Sequence, residues 1–157
     1  MDNISNYYNT LAPAYDHSRF GNSYGRFIHA QEHRALTRML HGVSSANTLD
    51  LACGTGRLLG LADTGLDLSP QMLAEARKKY PAKELLTGDA TRMPFSDQSF
   101  DAVFSLHFVM HLAPEQTRPV LTEVWRVLRP GGRFVFEHGS LRQAASRLSR
   151  STMRALI

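Results

Sequence analysis

Three aspartates in this sequence follow or close short apolar runs: Asp50 before the turn Ala52-Cys53-Gly54-Thr55-Gly56, Asp67 in Gly65-Leu66-Asp67-Leu68, and Asp89 in Gly88-Asp89-Ala90. If those runs are parallel strands, all three carboxylates converge on the rim formed by the strands' carboxyl ends, where doubly wound α/β sheets bind ligands. Gly54 and Gly56 lack a Cβ, so the chain can turn sharply there and bring its amides close to a bound molecule. An acidic rim repels the pyrophosphate of a dinucleotide, and the third glycine of a GxGxxG fingerprint is replaced by Leu59. A nicotinamide-dependent oxidoreductase, which would bind NAD(H) tightly, is therefore disfavoured. The pattern suits a cation without phosphate groups whose vicinal hydroxyls one carboxylate can bind.

S-adenosylmethionine, with its sulfonium, its ammonium and its ribose diol, meets that description. Two histidines, His107 and His111, follow the fourth apolar run, where either can face an acceptor and take a proton near neutral pH. Methyl transfer from a sulfonium needs no base in principle, because positioning and exclusion of water supply much of the acceleration. His29-Ala30-Gln31-Glu32-His33 matches HxxEH, a zinc pattern, and puts both imidazoles on one helical face. No third ligand is indicated, so no metal site is assigned.

The elements that must position these groups alternate in type. Apolar runs at Thr48 to Ala52, Gly65 to Leu68, Glu84 to Thr87, Ala102 to Leu106 and Arg133 to Glu137 read as five parallel strands. Ser69-Pro70 supplies an N-cap and a first-turn proline for a helix over Gln71 to Lys79. Pro114 opens another, whose Val120, Leu121, Val124 and Leu128 form an apolar stripe, with Pro119 confining its regular part to the later turns. Ser23 to Leu40 reads as a long helix before the first strand. Asp101, at the start of a strand and away from the rim, reads as structural.

At 157 residues the chain is one domain in size, and its single cysteine excludes an internal disulfide framework and fits a reducing, cytoplasmic compartment. No signal peptide or membrane span is indicated. Of 18 Lys and Arg residues, four (Arg142, Arg147, Arg150, Arg154) fall in the acid-free segment 140–157, so the body is neutral and gives no clear sign of nucleic-acid binding. That segment reads first as a basic helix following the fifth strand.

LDLACGTGR, GLDLSPQML, GDATRMPFSDQSFDAVFS and LRPGGRFVF, in this order, resemble the class I S-adenosylmethionine-dependent methyltransferases, and among them the type 11 methyltransferase domain and the ubiquinone/menaquinone-biosynthesis enzymes. The resemblance covers about residues 7–139. It implies a Rossmann-like doubly wound sheet and transfer of the methyl group to a small-molecule acceptor, leaving S-adenosylhomocysteine. By position, Ala52, Cys53, Gly54 and Gly56 would form the turn beneath the methionine part, with the Cys53 side chain read as packing. Asp50 would help hold the amino group, Asp67 the ribose hydroxyls and Leu68 the adenine face. Asp89 would accept from the adenine amino group, Ala90 would offer its amide to the ring, and Ser105 would face the donor. The segment from Tyr8 to Arg19, with Tyr15-Asp16, resembles an amino-terminal lid, within a helical part spanning 1–41 and ahead of a cofactor-binding core at 47–139.

Two departures are expected to matter. Only 17 residues separate Asp50 from Asp67, leaving little more than a turn and a half for a helix from Arg57 to Ala62. The family's C-terminal antiparallel hairpin has no candidate here, so the fifth strand would lie at an open edge, inviting a homo-oligomer or a partner chain. The alternative function is thus a noncatalytic methyltransferase-like module acting through that edge.

Overall fold

In the computed structural model, which describes residues 2–137, the expected architecture is present: a parallel five-stranded sheet ordered β3-β2-β1-β4-β5 with helices on both faces. The strands are β1 (Thr48–Leu51), β2 (Thr64–Asp67), β3 (Glu84–Thr87), β4 (Phe100–Ser105) and β5 (Leu128–Phe136). The order reverses between β1 and β4, which opens a crevice at their carboxyl ends. Three helices precede the sheet: α1 (Asp2–Leu11), α2 (Tyr15–Phe20) and α3 (Ser23–Met39). Two connect its strands, α4 (Pro70–Lys79) and α5 (Pro114–Val127). The basic segment 140–157, expected as a helix, lies outside the described residues.

Strand alternation divides the core in two. Leu49, Leu51 and Val103 face α5, whose Val120, Val124 and Val127 are buried against them. Ala102 and Phe104 face the other way, toward Leu36 of α3 and Leu73 of α4. Asp50 is in register with Gly65 and Phe104 and shares their face, so the chain places a carboxylate in an otherwise apolar layer. Local chemistry sets the helix starts. The Asn22 side chain accepts from the Gly25 N–H at 2.8 Å, and Ser69 Oγ accepts from the Met72 N–H at 3.1 Å.

Three expectations change. No α-helix follows the glycine turn. Residues Leu59–Leu61 form a single 3₁₀ turn, held by Lys83 Nζ, which donates to the carbonyls of Leu59 (2.7 Å) and Ala62 (2.5 Å). The short interval and the glycines at 56 and 60 leave no room for a longer helix. Helix α5 runs unbroken through Pro119, because burial of its valine stripe outweighs one lost backbone bond. Strand β5 begins at Leu128, loops out at Pro130-Gly131-Gly132, and resumes pairing with β4 from Arg133 to Phe136. Gly131 makes that bulge possible with φ +80°. Among the described residues β5 is an edge strand. Asp101 is structural, accepting from Asn47 Nδ2 and Arg129 Nη1, both at 2.8 Å.

Close packing explains why Gly65 sits beside Asp50. A Cβ there would lie 2.8 Å from both Cys53 Sγ and Leu85 Cδ2. Gly65→Ala is expected to destabilise the fold by about 1–3 kcal/mol in denaturant unfolding, through overpacking.

Candidate functional site

The carboxyl ends of β1, β2 and β4 enclose a cavity of about 220 Å³, closed over by the amino-terminal helices. Asp50, Asp67 and Asp89 all line it, as do Ala52, Cys53, Gly54, Leu68, Ala90, Tyr15 and His107. Gly56 and Ser105 do not. Gly56 stands behind the turn with φ +75°, its N–H donating to the Cys53 carbonyl at 2.9 Å. Ser105 is fully buried and donates to the Leu51 carbonyl at 2.7 Å, so its hydroxyl braces β4 against β1 instead of facing the cavity.

The rim concentrates backbone strain. Ala52 (φ 60°) and His107 (φ 58°) occupy the left-handed region without being glycines, beside Gly54 (φ 55°). Such positions cost energy and persist where the surroundings fix them. A Cβ at Gly54 would meet nothing within 4 Å, so its Cα borders open space.

Each carboxylate has a distinct setting. Asp67 Oδ2 accepts from the Gly54 N–H at 2.7 Å and Oδ1 from the Ser69 N–H at 2.9 Å, locking the end of β2 to the glycine turn. The Leu68 N–H also favours the charged form, and an ionised carboxylate has about four acceptor sites, so its capacity is not filled. Burial still raises its pKa, with the backbone donors opposing the rise. Asp89 Oδ1 accepts from the N–H and the hydroxyl of Thr91, both at 2.8 Å. Asp50 is 4% exposed and accepts no side-chain hydrogen bond among the described residues. Burial, then the charge of Asp67, push its pKa well above the usual carboxylate range. Its carboxyl group opens onto the cavity with no donor among the described residues. Cys53 is a buried free thiol whose pKa burial also drives up.

The lid is tied down by polar contacts that neighbouring sequence does not reveal. Thr55 Oγ1 donates to Asp16 Oδ1, and Ser69 Oγ to Asn9 Oδ1, each at 2.5 Å. Lys79 Nζ pairs with Asp16 Oδ2 at 2.6 Å. Tyr15 lines the cavity with its ring edge-on to Tyr8 and Phe20, and burial raises its pKa. Arg57 lies 4.1 Å from the centroid of the Phe20 ring, 2.6 Å from Glu32 Oε2 and 3.1 Å from His29 Nδ1, which accepts from it.

Glu32 thus joins α3 to the core, and it also binds His107, whose Nε2 is 2.7 Å from Glu32 Oε1. On the other side of that ring, Nδ1 is 3.1 Å from Glu137 Oε2. Potential ligand atoms of Glu32, His107 and Glu137 lie within 4.8 Å of one another, as metal ligands do. The Arg57 guanidinium already supplies Glu32 with a cation, and the His107 ring bridges Glu32 and Glu137. The HxxEH helix therefore serves the lid: His29 and Glu32 engage Arg57, and His33 is exposed. Arg57, Glu32 and Glu137 are the site residues that sequence reasoning missed. Only the adjacency of Arg57 to the glycine turn signalled any of them.

A methyltransferase domain model matches residues 49–136. The demethylmenaquinone methyltransferase of Chlorobaculum tepidum is 40% identical over 141 residues, which cover 82% of this chain and 56% of that protein. The chain therefore spans about half the length of the curated relatives it matches. Among solved structures, a protein of Pyrococcus horikoshii superposes with a TM-score of 0.71 at 28% identity, covering 95% of this chain and 69% of its own. DhpI in complex with SAH gives 0.67 at 30%, covering 84% and 65%.

The hydrogen bond to Glu32 raises the pKa of His107 against the opposing effect of burial. With the folded value raised, the stabilisation is complete below the ordinary histidine pKa of about 6.5 and is lost as pH rises through the folded value. An NMR titration should find the His107 ring titrating above that ordinary value, and Glu32→Gln should lower it. An unchanged titration in the variant would show that the contact does not set the charge.

Proposed function

Because this chain belongs to the methyltransferase domain family, we propose that it binds S-adenosylmethionine in the cavity and transfers its methyl group to a small-molecule acceptor. The observation that carries this reading is the grouping of Asp50, Asp67 and Asp89 around one cavity, with Asp50 buried and given no donor among the described residues. An ammonium would supply the missing partner. The unfilled acceptor capacity of Asp67 suits a ribose diol, and Leu68 and Ala90 offer apolar walls to an adenine beside the open carboxylate oxygen of Asp89. The open space at Gly54 lets the methionine part approach the turn.

When bound, S-adenosylmethionine supplies a methyl group on a sulfonium, so displacement by the acceptor leaves a neutral thioether and needs no prior activation. The chain's own work is then to orient the reactants and exclude water. Tyr8, Tyr15 and Phe20 cover the cavity, and the ties to Asp16, Asn9 and Glu32 keep that cover in place. Beyond the carboxyl end of β4, His107 and His111 line the cavity with Leu106, Phe108 and Leu112, together with Val120 of α5. That end suits an apolar ring bearing an ionisable group, and the name of the Chlorobaculum relative makes a demethylmenaquinone-type acceptor the first to test. His107 is our candidate for taking the acceptor's proton. Below its raised pKa it is an imidazolium held by Glu32, so it serves as a base only as pH rises and one of its nitrogens is freed.

The whole chain reads as one domain. The lone free Cys53 supports a reducing, cytoplasmic setting. No helix of the described residues is long and apolar enough to cross a membrane. The β5 edge supports pairing with a second copy or with a partner chain.

Calorimetry should detect binding of S-adenosylhomocysteine, and Asp67→Ala should weaken it by roughly 10–100-fold, the loss of about 1.5–3 kcal/mol in charge-assisted hydrogen bonds. Absence of heat at millimolar ligand on folded protein, or unchanged affinity in the variant, would refute the reading. Asp50→Asn should weaken binding yet stabilise the free protein at neutral pH by about 0.5–2 kcal/mol. The sign follows from the raised folded pKa: between the unfolded and folded values the native state holds the extra proton, so its stability falls as pH rises. A lower melting temperature for this variant at neutral pH would contradict it.

A further inference from the structure

Helix α3 has two different sides. Gly25 and Leu36 are buried, and His29 and Glu32 engage Arg57. The opposite side carries Tyr24, Phe27, Gln31, Arg34 and Arg38 at alternating steps of three and four residues, which makes one stripe along the helix. Tyr24 is 73% exposed and Phe27 58%. The side chains of Arg34 and Arg38 are exposed and enter no ion pair or hydrogen bond among the described residues. The one acid of the helix, Glu32, is turned inward and neutralised by Arg57. The outward stripe is therefore aromatic at its amino end, cationic at its carboxyl end and free of negative charge.

We infer that this stripe is an interaction surface that lays the lid helix on an anionic lipid surface. From Tyr24 to Arg38 it extends roughly 21 Å at 1.5 Å per residue, long enough to lie along a membrane. Aromatic rings settle at the level of lipid headgroups, and arginines beside them are drawn to anionic headgroups. A nucleic-acid duplex would engage the arginine half and leave Tyr24 and Phe27 in water. Lipid surface satisfies both halves at once. The inference is independent of methyl transfer, since it rests on the outward side of α3 and on none of the cavity residues.

The test is flotation of the full chain with vesicles of phosphatidylcholine alone and with vesicles of equal parts phosphatidylcholine and phosphatidylglycerol. Binding should require phosphatidylglycerol and weaken with added salt. Combining Arg34→Glu with Arg38→Glu should reduce it by at least about tenfold, and combining Tyr24→Ser with Phe27→Ser should also reduce it. The arginines at 142, 147, 150 and 154 are present in every variant, so their contribution stays constant across the comparison. Unchanged melting curves verify folding, and Arg34→Gln with Arg38→Gln replaces the charge reversal if that variant does not fold. Equal binding to neutral vesicles, or arginine variants that bind as the parent does, would overturn the proposal. So would displacement by a single-stranded oligonucleotide together with indifference to the aromatic substitutions, which would reassign the stripe to a polyanion.

Discussion

Burying a carboxyl group is costly, and Asp50, which has no donor among the described residues, organises this molecule. It sits on the central strand, in register with Gly65 and Phe104, in a layer whose other members are apolar. Asp67, the neighbour that raises its pKa further, is itself pinned to the glycine turn by the Gly54 N–H and to the start of α4 by the Ser69 N–H. The strain at Ala52 and His107 lies around the same cavity. A fold that gathers these penalties in one place holds a site built for a cation, with its stability supplied by the two apolar layers.

The second constraint is closure. The amino-terminal helices meet the core through apolar packing at Leu36 and Leu40 and through polar ties, of which Glu32 is the most connected, reaching both Arg57 and His107. Polar ties are directional and respond to pH, whereas apolar packing holds an element in place without such a signal. The lid is thus held by groups whose charge also matters to the chemistry proposed beneath it. The stripe proposed to meet lipid lies on the side of α3 away from Glu32 and Arg57.

Much of the fold and of the cofactor rim was legible in the sequence because the information is local. The glycine turn, the Ser69-Pro70 helix start and aspartates at strand ends are read within a few residues of each other. What escaped was non-local or set by packing. Glu32 is 75 residues from His107, and nothing in HxxEH distinguishes a zinc helix from one that clamps an arginine. Ser105 was expected to face the donor, but its hydroxyl is taken by the Leu51 carbonyl of the adjacent strand. The segment after the glycine turn looked helical until Lys83, arriving from beyond α4, took the carbonyls that would have continued it.

Proton release on ligand binding is the most direct probe of the buried Asp50 carboxylate. If its pKa is raised because it waits for a cation, then arrival of an ammonium should drive its proton into the buffer. Calorimetric titration with S-adenosylhomocysteine in buffers of different ionisation enthalpy should give heats that depend on the buffer, and Asp50→Asn should abolish that dependence. Heats that are independent of buffer in the parent protein, or a dependence that survives in the variant, would contradict the role assigned to Asp50.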